Sequence, residues 1–291
     1  MTTDRRLDRR TFLWAGGATV AGLLASASCG SQQPATTWQR IGAAGRLRVA
    51  IADEAPYGYI DHDGQLTGAF PDVVRAVAAT LGIDRLDGVV VPFGSLIDTL
   101  LAGRADVIGA GMTVTAERCA RVAFGRPDLH ARTALGVGTG NPLHLSDYDS
   151  LVAADATVGV LRGAVEAADV DEAGVAAARI VTFDDVAAMV PALVSGGVDA
   201  LALTARTLRA LSAQAAAGTI TVLDPFIPVF DGVARDRVAA LAFPRDDRST
   251  LDAFEAAAEP LRRDGTIAAI FQRYGWSTDD LPQLGQGLAC E

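Results

Sequence analysis

The sequence predicts an α/β protein of two lobes with a cleft between them, and three observations carry that prediction. Short apolar runs alternate with helix-length amphipathic segments in a β-α-β-α-β order, the order occurs twice, and two further strands and two helices follow the second unit. Connections of this kind are right-handed crossovers between parallel strands, so each unit builds a sheet of its own. The length, 291 residues, suits two domains. Half of the residues are hydrophobic and 21% are charged, which excludes a disordered or disulfide-stapled chain.

Taken in order, residues 47–52 (Leu-Arg-Val-Ala-Ile-Ala) read as the first strand. A turn at Asp61-His62-Asp63-Gly64 precedes a helix over 71–81, whose residues Val73, Val74, Val77, Ala78 and Leu81 share one face and which Gly82 stops. Residues 88–92 form the second strand, a Ser95-capped helix runs to Leu101, and 105–109 form the third strand, opening into a loop over 109–115. In the second unit, strands at 157–160, 179–183 and 198–204 alternate with helices that begin at Gly163, span 186–194 and span 206–217. A strand at 220–223, a proline-bearing segment at 225–228, a strand at 239–243 and helices near 251–262 and 266–274 complete the chain. Open sheets of this type bind ligands beyond the carboxyl ends of their strands. That selects the loops 53–59, 93–95, 109–118 and 162–166 and the residues around 204.

The formal charge of −10 argues against a general nucleic-acid binder, because neutralising phosphates takes a basic face; all 25 basic residues are Arg. Three cysteines are too few for a zinc cluster, and no metal or cofactor is expected. Residues 1–28 are an address and stand apart from the fold. Arg9-Arg10-Thr11-Phe12-Leu13 resembles a twin-arginine export signal, and the apolar run that follows falls short of the ~20 residues that span a bilayer. Leu24-Ala25-Ser26-Ala27-Ser28-Cys29-Gly30 resembles a lipoprotein cleavage site, with Cys29 the lipidated first residue and 29–45 a tether. Cleavage there removes four Arg and two Asp and takes the charge to −12. The product is held by its lipid at the outer face of the cytoplasmic membrane. Cys119 and Cys290 are then an even pair in an oxidising compartment, which favours a disulfide over two free thiols.

Several motifs stand in the order of a known family. They are Gly103-Arg104-Ala105-Asp106 with Thr115-Ala116-Glu117-Arg118, the altered Phe124-Gly125-Arg126-Pro127, Val158-Gly159-Val160-Leu161-Arg162-Gly163, Gly197-Val198-Asp199-Ala200, and Arg263-Asp264-Gly265-Thr266 ahead of Phe271-Gln272-Arg273-Tyr274-Gly275-Trp276. Together they resemble the extracellular solute-binding proteins of the polar amino-acid type, family 3 of the ABC-importer receptors, over nearly the whole mature chain. The resemblance implies a two-lobed, type II periplasmic-binding-protein-like fold. Its first lobe would cover 46–136, its second 137–228, and 229–291 would return to the first, with hinges near 135–139 and 227–238. It also implies a monomer that hands a small solute to an ABC permease. Asp53-Glu54-Ala55-Pro56-Tyr57-Gly58-Tyr59, Phe93-Gly94-Ser95-Leu96-Ile97, Ala110-Gly111-Met112 ahead of Glu117-Arg118-Cys119, and the tail Leu288-Ala289-Cys290 are most similar to the ectoine/hydroxyectoine-binding subgroup.

In that subgroup a carboxylate meets the ring nitrogens, aromatic side chains enclose the ring and an arginine takes the ligand's carboxylate. Arg118 offers the rigid fork of donors that matches a carboxylate, with the Thr115 hydroxyl beside it. Glu54 is the counter-ion for a delocalised cation, and Tyr57 (or Tyr59) and Phe93 supply π faces worth roughly 0.5–2 kcal/mol each. Gly94, Gly111, Met112 and Thr113 complete the first-lobe set, and Gly163, Ala164 and Thr204 the second. Glu166 is either a ligand contact or a helix-capping acid. Two positions are informative in opposite directions, Thr113 as a departure from the ectoine binders and Thr204 as a departure from ordinary α-amino-acid receptors, because a hydroxyl is a poor counter-ion for a primary ammonium. Thr113 stands where ectoine binders place a third aromatic, leaving the cage open or closed by Phe70 or Phe230. Thr204 stands where α-amino-acid receptors place an Asp for the ammonium.

The chain therefore reads as a binding lipoprotein for a small zwitterion, with ectoine or hydroxyectoine first and a polar amino acid second, and not as an enzyme. The rival is a cyclohexadienyl-dehydratase-like lyase on the same scaffold, which would recruit Glu54 or Glu166 as its acid.

Overall fold

The computed structural model describes residues 37–283, 287 and 289–290; the export signal and Cys29 lie outside the described residues. The first sheet orders its strands Arg85–Val90, Arg46–Ile51, Val107–Thr113, Val238–Pro244 and Val122–Phe124, with Leu129–His130 also on Val238–Pro244. The second orders Ile180–Phe183, Val158–Leu161, Ala200–Thr204, Thr133–Gly138 and Ile220–Val222. In each sheet the first three strands are parallel, and a strand arriving from elsewhere in the chain adds antiparallel. These sheets are the cores of two lobes.

Equivalent acids pin both sheets. The Asp106 carboxylate accepts from the backbone N–H and the guanidinium of Arg48, at 2.7–3.0 Å, and is also paired with Arg40. In the second lobe Asp199 accepts from the Thr157 N–H at 2.8 Å. Each signature Asp thus ties the start of its sheet's central parallel strand to the strand beside it; the motif is structural in both lobes. The helix Ala69–Thr80 buries Phe70, Val73, Val74, Val77 and Ala78, each large side chain contributing about 1.5–3 kcal/mol. Phe70 meets Phe271 edge to face, with ring centroids 5.4 Å apart, and so docks that helix on Thr266–Arg273.

Four expectations change. Eight residues of the expected tether form the helix Thr37–Ala44, because Ile41 is 1% exposed in the first-lobe core. The third strand does not stop at Gly109 but continues to Thr113, where pairing of Ala239 with Thr113 and Ala240 with Met112 holds it extended. Ser95 ends a 3₁₀ turn in helical conformation and makes no side-chain cap. The crossing expected near 135–139 falls inside the strand Thr133–Gly138, so the chain changes sheets at Ala131-Arg132, ahead of the 136/137 boundary. It returns between Val222 and Val238. Among the described residues no helix is long and apolar enough to cross a membrane.

Cys119 and Cys290 form a disulfide, and the neighbouring Ala289 N–H donates to the Gly125 carbonyl at 3.2 Å. The bond closes the chain over 171 residues. Cys290→Ser is expected to lower unfolding stability by about 2–5 kcal/mol, read as a lower denaturant midpoint than wild type. An unchanged midpoint would show that the tail contributes nothing to the fold.

Candidate ligand-binding site

The strand-end loops of both lobes converge on one enclosed cleft. Glu54, Tyr57, Phe93, Ala110, Gly111, Thr113 and Arg118 line it from the first lobe, and Leu161, Ala164, Val165, Glu166, Leu203 and Thr204 from the second. A larger cavity of about 370 Å³ lies inside the first lobe between Arg126–Asp128 and the last two helices, away from both sets of strand ends. The enclosed space is about 20 Å³, room for a water molecule or two and not for a solute. The lobes must part to admit one.

Each first-lobe group is placed by local structure. Glu54 and Gly58 exchange backbone hydrogen bonds of 2.9 and 3.0 Å, a tight loop that carries Glu54 and Tyr57 inward. The strand Val107–Thr113 bulges against its partner: Ala240 and Ala242, two residues apart, face Met112 and Ile108, four apart. Within the bulge Gly111 has φ +63°, and a Cβ there would lie 2.1 Å from the Tyr57 ring and 2.9 Å from that of Phe70. Thr115 then caps the short helix Ala116–Cys119 by accepting from the Arg118 N–H at 3.2 Å.

Arg118 spans both lobes. Its Nη1 donates to the Thr113 carbonyl, its Nη2 to the Gly163 carbonyl at 2.8 Å, and its guanidinium carbon lies 5.6 Å from the centroid of the Phe93 ring. Burial lowers its pKa to about 10, opposed by the nearby Glu166, so it stays cationic. Glu54 accepts from the Thr207 hydroxyl across the cleft, and Thr207 and Thr204 are 2.9 Å apart through their hydroxyls. Burial raises Glu54 to about 7, against the Thr207 hydrogen bond. Burial likewise raises Glu166 to about 7, with Asp169 and Glu54 adding to the rise and its own backbone N–H opposing it. The cleft is thus a narrow, largely buried space with one fixed cation and two acids whose pKa values are raised to about 7.

Eight of the eleven expected ligand contacts meet here: Glu54, Tyr57, Phe93, Gly111, Thr113, Arg118, Ala164 and Thr204. Three are placed elsewhere. Met112 is 1% exposed in the apolar cluster beneath the strand, because its side chain takes the face opposite Gly111. Gly94 and Gly163 touch one another: a Cβ on Gly163 would lie 2.7 Å from the Gly94 Cα. They are a backbone-to-backbone contact between the lobes, not lining. Neither Phe70 nor Phe230 closes the cage. Phe70 sits behind Tyr57, their rings stacked with centroids 6.2 Å apart, and Phe230 belongs to the second-lobe core. Thr207 was missed. Its signal was the Thr204-x-x-Thr207 spacing, which stacks both hydroxyls where the strand Ala200–Thr204 passes into a helix.

Two α/β lobes that shut on a buried, oppositely charged chamber define a protein that takes up a small solute between its lobes. The comparisons agree, and the chain belongs to the bacterial extracellular solute-binding proteins, family 3, whose model matches residues 47–277. It is 30% identical over 277 residues to the probable amino-acid ABC transporter periplasmic-binding protein y4tE of Sinorhizobium fredii, covering 94% of this chain and 91% of that protein. Among solved structures it resembles EhuB in complex with hydroxyectoine, with TM-score 0.76, 32% identity and coverage of 82% of this chain and 92% of that one. It also resembles an ancestral arginine-binding protein bound to arginine, with TM-score 0.70, 27% identity and coverage of 80% and 99%.

Glu54 and Glu166 hold protons more tightly in the folded cleft than in the unfolded chain, about 7 against 4.5. Between those values the folded state binds more protons, so its stability falls as pH rises from about 4.5 to about 7. The melting temperature of the ligand-free protein is expected to decline over that window, and Glu54→Gln and Glu166→Gln each to flatten the decline. A profile unaltered by both would show that the acids are not buried in the resting protein. Gly111→Ala is expected to cost about 2–4 kcal/mol in the same melts, from the left-handed backbone and the overlap with Tyr57.

Proposed function

We propose that this chain is the solute receptor of an ABC importer, tethered through Cys29, acting as a monomer, and closing on a small solute that carries a carboxylate and a cation. One observation carries the reading: Arg118 and Glu54 are both buried in the same interlobe cleft, each bonded to the opposite lobe. A carboxylate entering the cleft gains a bidentate, charge-assisted partner in Arg118, and a cationic group gains the Glu54 carboxylate. Closure then turns on the crossings at 131–132 and 223–237, and it removes both ion pairs from water together. Apolar solutes offer neither charge and are rejected.

Ectoine and hydroxyectoine are the first candidate ligands, supported by the sequence marks and by the likeness to hydroxyectoine-bound EhuB. A polar amino acid is the second, and one observation favours it. Phe93 already has the Arg118 guanidinium beside its ring and Thr113 is no aromatic, so Tyr57 is the one ring left for a π cage.

Calorimetric titration of the protein from Ser31 onward with ectoine, hydroxyectoine, glutamine, arginine and glycine betaine tests this. One or more of the carboxylated solutes is expected to bind at micromolar concentration or tighter. Arg118→Ala is expected to weaken that binding by 100-fold or more, and Glu54→Gln by about tenfold. Binding that survives Arg118→Ala would move the site elsewhere. Consumption of prephenate or arogenate would replace the receptor by a lyase.

A further inference from the structure

The cavity inside the first lobe, apart from the interlobe cleft, has the make-up of a binding site. It measures about 370 Å³, and Pro127, Ile267, Ala268, Phe271 and Leu281 give it apolar walls. Phe271 is fully buried and meets Phe70 and Trp276 edge to face, with ring centroids 5.4 and 5.7 Å away, which holds that wall from behind. The polar side is a chain of ion pairs that alternates in sign from the mouth inward. Arg263 pairs with Glu259 at 2.6 Å, Glu259 with Arg126, and Arg126 with Glu255 at 3.8 Å. Glu255 pairs with Arg262 at 2.7 Å, and Arg262 with Asp128 Oδ1 at 3.4 Å. Asp128 is the deep end, its side chain 1% exposed, and it lines the cavity. It is also the end left short. Arg262 gives Glu255 two hydrogen bonds, of 2.7 and 3.3 Å, and Asp128 a single one of 3.4 Å. The buried Asp128 Oδ2 accepts no hydrogen bond among the described residues. Burial raises this carboxyl to about 6, with Arg262 opposing the rise, Glu255 adding to it and the Leu241 N–H opposing it without reaching hydrogen-bond geometry at Oδ2. At neutral pH and above it is a carboxylate with an open acceptor and a shared counter-ion, which is costly to leave buried.

We propose that this cavity is a second small-molecule site, separate from the cleft, for a primary amine on a compact apolar body. The ammonium sits on Asp128 and the body against Phe271 and Ile267. An ammonium supplies the donor that Oδ2 lacks and the partner charge that Arg262 divides with Glu255. A carboxylate meets Asp128 as a like charge and is refused, and an apolar body without a donor leaves Oδ2 unbonded. The inference is independent of what the cleft binds.

2-Phenylethylamine, 2-phenylethanol and phenylacetate test this, since they share a phenyl body and carry an ammonium, a hydroxyl and a carboxylate. In calorimetric titrations at pH 8 the wild-type protein is expected to bind the amine with a Kd below about 1 mM, roughly tenfold more tightly than the alcohol, and phenylacetate not measurably. Asp128→Asn is expected to weaken the amine about tenfold or more and to change the alcohol less than about threefold. Ala268→Phe fills the cavity without touching the ion pairs and is expected to abolish binding of both; should Asp128→Asn not fold, this variant decides. Arg118→Ala and Glu54→Gln are expected to leave the amine's affinity within about twofold. No heat from the amine overturns the inference, as does an amine bound no more tightly than the alcohol or one that still binds Ala268→Phe. Loss of the amine in Glu54→Gln also overturns it, by moving the amine into the cleft. Binding of a carboxylated solute that persists in Ala268→Phe keeps the cleft reading apart from this one.

Discussion

The site depends on a guanidinium buried between two lobes. Arg118 cannot shed its proton at any physiological pH, so every atom around it must answer a permanent charge in a low-dielectric space. Here the answer is two backbone carbonyls, one from each lobe, and the neighbouring Phe93 ring. Carbonyl dipoles are weaker partners for a guanidinium than a carboxylate. The closed lobes satisfy the arginine's hydrogen bonds but not its charge. On the proposed reading a ligand carboxylate completes what the carbonyls leave undone, once the lobes have parted to admit it.

Placing that one side chain uses much of the first lobe. The strand Val238–Pro244, returning from the far end of the chain, extends Val107–Thr113 by four residues past the expected stop. The extension delivers Gly111 and Thr113 to the cleft and brings the chain to Thr115, whose hydroxyl starts the short helix bearing Arg118. The same helix ends in Cys119, joined to Cys290. The C-terminal segment thus reaches the Arg118 helix twice, through the returning strand and through the disulfide.

The architecture was legible because its signals are local. Two βαβ patterns, the glycines that end helices and the apolar spacing of Val73, Val74, Val77 and Ala78 need no distant partner to be read. Strand-end loops follow from topology, and the family resemblance picks Glu54, Tyr57, Phe93 and Arg118 out of those loops. What stayed hidden depends on partners far along the chain. Both faces of Val107–Thr113 are buried, so no alternation told Met112 from Gly111. Thr37–Ala44 offers Ile41 and Trp38 as its anchors, too few to stand out from a polar tether. Gly94 and Gly163 were noticed as loop residues, but a backbone-to-backbone approach between lobes leaves no mark in composition. Glu166 was ambiguous for a physical reason: an acid early in a helix is favourable there with or without a ligand. The structure places it 2% exposed among the groups that line the cleft.

The cross-lobe contacts divide by their relation to the chamber. Arg118 with Gly163 and Thr207 with Glu54 each involve one side chain that lines it, Arg118 and Glu54. Gly94 with Gly163 marks its rim. Arg206 reaches from the second lobe to the Trp276 ring at 5.2 Å and to Asp280 at 3.8 Å. That pair sits behind Tyr57, whose ring meets Trp276 edge to face at 5.1 Å. On the proposed reading a solute competes with the inner contacts and leaves the outer ones alone. The rim and the Arg206 contacts can therefore form in the empty and the filled protein alike and set how far the lobes close. The inner contacts are exchanged for ligand charges and set what the lobes close upon. Affinity then comes from the difference between a carbonyl and a carboxylate at Arg118, and between a hydroxyl and a cation at Glu54. Neither difference exists for a solute without charges, so selectivity for charged solutes follows from electrostatics even before shape is considered.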